Sequence, residues 1–145
     1  MQRFDRGRRL ALAALSACAL AAAVPAAAQD PNQSLAKAAA LDWLALAGKH
    51  DAEGTWTTAA ARFRGQITAE KWAVTLKQVQ DRFGDVEDRT FIGARAVEPK
   101  QDDPQGTFLV LVFRTDFTKR KQGMETLTVE READGKWRVV GYLMQ

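Results

Sequence analysis

Apolar and polar residues alternate with a period of two over the last third of the chain. The alternation predicts three antiparallel strands, Thr107 to Phe117, Met124 to Glu132 and Trp137 to Met144, joined by polar links at 118–123 and 133–136. The last link decides the register. A two-residue turn at Asp134-Gly135 would oppose Glu132 to Trp137 and Glu130 to Val139, setting a charge against an apolar group each time. A three-residue loop with Gly135 in the left-handed conformation instead pairs Val129 with Val139, Leu127 with Gly141 and Glu130 with Arg138. That register gathers Leu127, Val129, Trp137, Val139 and Leu143 on a core face. It turns Thr126, Thr128, Glu130, Arg138, Val140 and Tyr142 outward. In the strand from Thr107, both faces are apolar between Phe108 and Phe113, a pattern that predicts cover on both sides.

Upstream the period lengthens to that of a helix. Ser34 is placed to cap a helix running to about Ala47, with Ala36, Ala40, Trp43, Leu44 and Ala47 on one side and Gly48 as its stop. Asp51 is placed to cap a second, carrying Ala52, Trp56, Ala59, Ala60 and Phe63, which Arg64-Gly65-Gln66 breaks. Thr68 opens a third, in which Trp72, Leu76, Val79 and Phe83 recur until Gly84. Gly54, inside the second helix, is expected to weaken it. Val86 to Val97 reads as a first strand, followed by an irregular loop from Glu98 to Gly106 that holds Pro99, Pro104 and Asp102-Asp103. Three N-terminal helices followed by a four-stranded meander predict a single α+β domain over 34–145, its helices against one face of the sheet.

Residues 1–28 read as an export signal outside that domain. Arg3, Arg6, Arg8 and Arg9 form a basic head, Leu10 to Val24 is apolar, and Ala26-Ala27-Ala28 offers small residues for cleavage before Gln29. The apolar run, about 15 residues, is shorter than the roughly 20 a spanning helix needs. A periplasmic domain is expected, with 29–33 as a short leader. Leu15-Ser16-Ala17-Cys18 leaves open a lipoprotein anchored at Cys18, although the chain stays apolar beyond it. The signal holds four of the 21 basic residues and one of the 18 acidic ones, leaving 17 of each. The basic excess belongs to the signal, so no nucleic-acid partner is expected, and a membrane is expected only through Cys18.

Several segments together resemble the bacterial family called domain of unknown function 4019. They are Asp42-Trp43-Leu44-Ala45-Leu46, Glu53-Gly54-Thr55-Trp56, the stretch from Phe63 to Trp72, Asp116-Phe117, Glu125-Thr126 and Gly135-Lys136-Trp137-Arg138-Val139-Val140-Gly141-Tyr142. The resemblance implies an exported domain without an assigned role. It also implies a curved sheet wrapped around helices, as in the nuclear transport factor 2-like, ketosteroid isomerase-like and cystatin-like cones. Such cones carry enzymes, binding modules and adaptors alike.

Candidate chemistry is sparse. His50 is the one histidine, and no set of His, Cys and carboxylates has metal-ligand spacing, so neither metal nor cofactor is expected. No nucleophile with a base and no phosphate-binding glycine run is present. Asp102-Asp103 and Lys119-Arg120-Lys121 read as solvated loop tips. The expected site is an apolar pocket between helices and sheet, walled by Trp43, Trp56, Trp72 and Trp137, with Arg114, Asp116 and Tyr142 as its polar floor. The function expected is a non-enzymatic binding or interaction module of the cell envelope, holding a small apolar ligand or an envelope protein. A homodimer through the outer sheet face is also expected. The alternative is a cone-fold isomerase- or dehydratase-like enzyme with Asp116 as base and Tyr142 as donor.

Overall fold

Asp30 and Pro31 start the first helix. The Asp30 side chain accepts the Asn32 N–H, and proline at the first helical position gives up a donor that has no partner there in any case. The computed structural model describes residues 30–98, 101 and 106–145. The export signal, Cys18, the cleavage position before Gln29, Pro99, Pro104 and Asp102-Asp103 lie outside the described residues. Four helices are present, α1 Pro31–Gly48, α2 Ala52–Thr58, α3 Ala61–Gln66 and α4 Ala69–Phe83. α1 thus begins three residues before the expected Ser34 cap and takes up most of the expected leader. Gly48, the expected stop, is its last residue; Lys49 caps it and His50 then turns left-handed at φ 64°.

The expected second helix is two. Ala59 and Ala60 are extended between α2 and α3, so the break falls before Phe63 and not at Arg64-Gly65-Gln66. The break has a use: the Ala60 N–H donates to Val139 O at 2.9 Å and the Ala61 N–H to Glu132 Oε1 at 2.8 Å. Both acceptors lie on or beside the last strand, whose free edge this joint covers. Gly54 sits in the first turn of α2, where its N–H meets Asp51 Oδ1 at 2.8 Å. A Cβ there would lie 2.2 Å from the same carboxylate, so glycine makes room for the cap.

The four strands are β1 Val86–Val97, β2 Phe108–Phe117, β3 Gly123–Arg131 and β4 Trp137–Met144, antiparallel neighbours in chain order. Each lies within one residue of its expected span. Next to the turn the β3–β4 register is the expected one, with Glu130 opposite Arg138 and Val129 opposite Val139. Beyond it Thr128 pairs with Gly141 and Leu127 with Tyr142, so Val140 is an extra, bulged residue. The bulge reverses the faces. Tyr142 enters the core, while Leu143 turns out and is 53% exposed, the opposite of the expected arrangement. β1 carries two irregularities of its own, near Glu87 and Ile92.

The helices cover the concave face of a curved, unclosed sheet. Trp43, Leu44, Phe63, Trp72 and Leu76 meet Leu111, Phe113, Leu127, Val129 and Val139 in one core. Gly84 ends α4 at φ 82°, and a Cβ there would lie 2.1 Å from Thr118 Oγ1 and 3.2 Å from Lys119 N. Gly84→Ala is therefore expected to destabilise the fold by at least about 1–2 kcal/mol, the cost of forcing an L-residue left-handed. Urea denaturation with an unchanged slope would measure it.

Candidate functional site

Each strand sends one polar side chain to a single point on the concave face. Glu125 of β3 lies in phase with Leu127 and Val129, so pleating places it in the apolar interior, where it is 1% exposed. Arg89 of β1 donates to both its oxygens, Nε to Oε2 at 2.6 Å and Nη2 to Oε1 at 3.2 Å. Thr115 Oγ1 of β2 donates to Oε2 at 2.5 Å, and the Tyr142 hydroxyl of β4 to Oε1 at 2.9 Å. The carboxylate accepts four hydrogen bonds, two on each oxygen. Burial, reinforced by the neighbouring Glu125 charge, pushes the Tyr142 phenol well above its ordinary value of 10.0.

Above this row the aromatic rings fill the interior. Tyr142 lies 5.3 Å from Trp43 and 6.3 Å from Trp72 between ring centroids, the two tryptophans are 5.7 Å apart, and Phe63 stands edge-on to Trp72 at 5.1 Å. Buried Thr55 ties them down: its carbonyl accepts Trp43 Nε1 and its hydroxyl accepts Trp72 Nε1, both at 2.8 Å. Trp56 donates to Ile67 O at 2.9 Å. The four tryptophans do not wall the expected pocket. Trp43, Trp72 and Trp137 are packed into the core, and Trp43 and Trp137 also line a surface groove of about 250 Å³.

The expected polar floor is also divided. Arg114 and Asp116 share the outer face of β2, and Asp116 Oδ1 accepts the Gln122 N–H at 2.8 Å across the β2–β3 turn. Arg114 and Asp116 form no ion pair, and the sheet lies between Asp116 and Tyr142. The carboxylate that meets Tyr142 is Glu125. Its signal in the sequence is a charge standing at a core position of an otherwise alternating strand, matched by Arg89 at a core position of β1. His50 is exposed and meets Asp85, Nε2 to Oδ1, at 3.0 Å. The basic tip is anchored: Lys119 Nζ donates to Asp81 O at 2.9 Å, Arg120 lies over the Phe83 ring, and Lys121 pairs with Glu87.

A family model for proteins of unknown function, DUF4019, matches residues 39–142, a span that contains Arg89, Thr115, Glu125 and Tyr142. The chain belongs to the DUF4019 family. Among solved structures this DUF4019 chain is similar to a ketosteroid isomerase-like protein from Erwinia carotovora atroseptica SCRI1043. The two are 16% identical, the match covers 79% of this chain and 95% of that one, and the TM-score is 0.45. The search of curated proteins gives no match.

Two outcomes follow from the polar row of this DUF4019 domain. Arg89→Met leaves a buried carboxylate without its cation and is expected to cost about 3–5 kcal/mol in chemical denaturation. Adding Glu125→Leu to it should restore much of that loss. The second outcome concerns pH. Tyr142 is the one tyrosine of the chain, so absorbance near 295 nm reports it alone. Its folded pKa is raised above the unfolded value of 10.0, so the unfolded chain releases the proton first and the stabilisation is lost as pH rises beyond 10. Stability should fall there by up to about 1.4 kcal/mol per pH unit more than in Tyr142→Phe.

Proposed function

We propose that this domain is an exported, non-enzymatic interaction module of the cell envelope that acts as a homodimer through the outer face of its sheet. The observation that carries the reading is the contrast between the two faces. The concave side is filled by tryptophans, and its carboxylate has all its acceptor positions taken. The outer side presents half-buried Val112, Met124, Thr126 and Thr128 and exposed Leu143 around Val110, which is 9% exposed. Gly93 and Gly141 keep the middle of that face flat. A half-exposed apolar stripe of this kind is typical of an interface.

A second copy suits this face. Arg95 and Arg114 stand on it with Asp88, while Glu130 is held by Arg62 of the same copy at 3.1 Å, so a two-fold axis can set Arg95 or Arg114 of one copy against Asp88 of the other. Four strands at about 4.8 Å spacing and eight residues at about 3.3 Å rise give a footprint of roughly 500 Å² per copy. The total of about 1,000 Å² reaches the lower bound for a specific interface. Asp116 and Tyr142, separated by the sheet, lend no support to an isomerase- or dehydratase-like reaction using that pair.

The test is sedimentation equilibrium of the wild type and Val112→Arg. The wild type is expected to be a dimer in the micromolar range and the variant a monomer with an unchanged circular dichroism spectrum. A wild type that stays monomeric at high micromolar concentration refutes the reading.

A further inference from the structure

Two hollows meet where α1 ends. The inner one holds about 20 Å³, between the apolar side chains of Leu76, Val79, Val86 and Phe117 and the polar row of Arg89, Glu125 and Tyr142. The outer one is a surface groove of about 490 Å³ that takes in Ala52, Ala73, Lys77 and Thr118. His50, Leu76, Gln80 and Gly84 line both and form the wall between them. Two of those four are left-handed, His50 at φ 64° and Gly84 at φ 82°. A non-glycine residue held there stores strain of a kind that collects at binding sites.

The chemistry of the inner hollow is one-sided. Glu125 already accepts four hydrogen bonds, which fills a carboxylate. Donors are in surplus. Arg89 gives Glu125 two of its five N–H groups, and Gln80 Nε2 is buried and donates to none of the described residues. A buried donor without an acceptor costs stability, so its presence calls for a partner. The hollow has room for one atom the size of a water oxygen.

We infer that the outer groove binds a neutral ligand with a short apolar body and one carbonyl oxygen, which passes the His50–Gly84 wall and accepts hydrogen bonds from Gln80 and Arg89. Behind the wall a ligand ammonium meets only a carboxylate, Glu125, whose four acceptor positions are taken. A ligand carboxylate meets Glu125 directly behind the one cation. A primary amide or a ketone avoids both penalties, and Ala52, Ala73 and Leu76 of the outer groove suit a short alkyl chain. Entry requires the exposed His50–Asp85 pair to part, a contact that costs little to break at the surface.

The experiment is a titration of the ¹⁵N-labelled full chain with hexanamide, hexanoate and hexylammonium, followed by NMR. Hexanamide is expected to shift the side-chain signals of Gln80 Nε2 and Arg89 Nε, with the two charged probes at least about tenfold weaker. Gln80→Leu should weaken hexanamide by about tenfold, the effect of one hydrogen bond, while raising the melting temperature because an unpaired donor is gone. Gln80→Met is the second variant should leucine not pack. Three results overturn the inference: no shift at either group at millimolar hexanamide, equal binding by both variants and the wild type, or hexanoate binding as tightly as the amide. None of them depends on whether the outer sheet face pairs.

Discussion

A carboxylate buried in an apolar interior must be answered by a cation and filled with hydrogen bonds, and Glu125 imposes that condition on the whole sheet. Its four donors come from three other strands, with Arg89 on β1 supplying two, Thr115 on β2 one and Tyr142 on β4 one. The edge strands can reach a residue on β3 only if the sheet curves toward its concave side. They can do so in only one register, because a slip of a single residue would turn the donor outward and leave a buried anion unpaired. Curvature, register and burial are thus coupled through one side chain.

The helical layer is shaped by a similar need at the tryptophans. A buried indole N–H wants an acceptor, and Thr55 supplies two, a carbonyl for Trp43 and a hydroxyl for Trp72. Thr55 can sit between α1 and α4 because α2 is short and ends at Ala59, where the chain leaves helical geometry to meet β4. The break lets Thr55 reach both indoles, and Trp43 and Trp72 act as core.

Much of this was legible along the chain. The four strands, the three-residue turn at Gly135 and the helical face of Trp72, Leu76 and Phe83 follow from periodicity and turn chemistry, which act locally. The Val140 bulge does not, since nothing in Val139-Val140-Gly141 distinguishes an extra residue from a regular strand. It is favoured by what Tyr142 gains on the far side of the core, in Glu125, Trp43 and Trp72. The same holds for the pause at Ala59 and Ala60, whose alanines read as good helix formers and where the Ala60 N–H is spent on β4. Arg89 and Glu125 were visible as charges at core positions, but their pairing joins positions 36 residues apart in sequence. The start of α1 was legible in Asp30-Pro31, a stronger signal than Ser34.

The two borders of the sheet are finished differently, and that sets the direction in which it can grow. At β4 the Ala60 amide occupies the Val139 carbonyl, so an incoming strand finds its first docking point taken. At β1 no described strand pairs with the outer edge, but the irregularities near Glu87 and Ile92 put its hydrogen-bonding groups out of step with a regular neighbour. Strand-by-strand propagation is closed on one border and mistimed on the other, which leaves the broad face between them as the surface on which copies can meet without building a fibre.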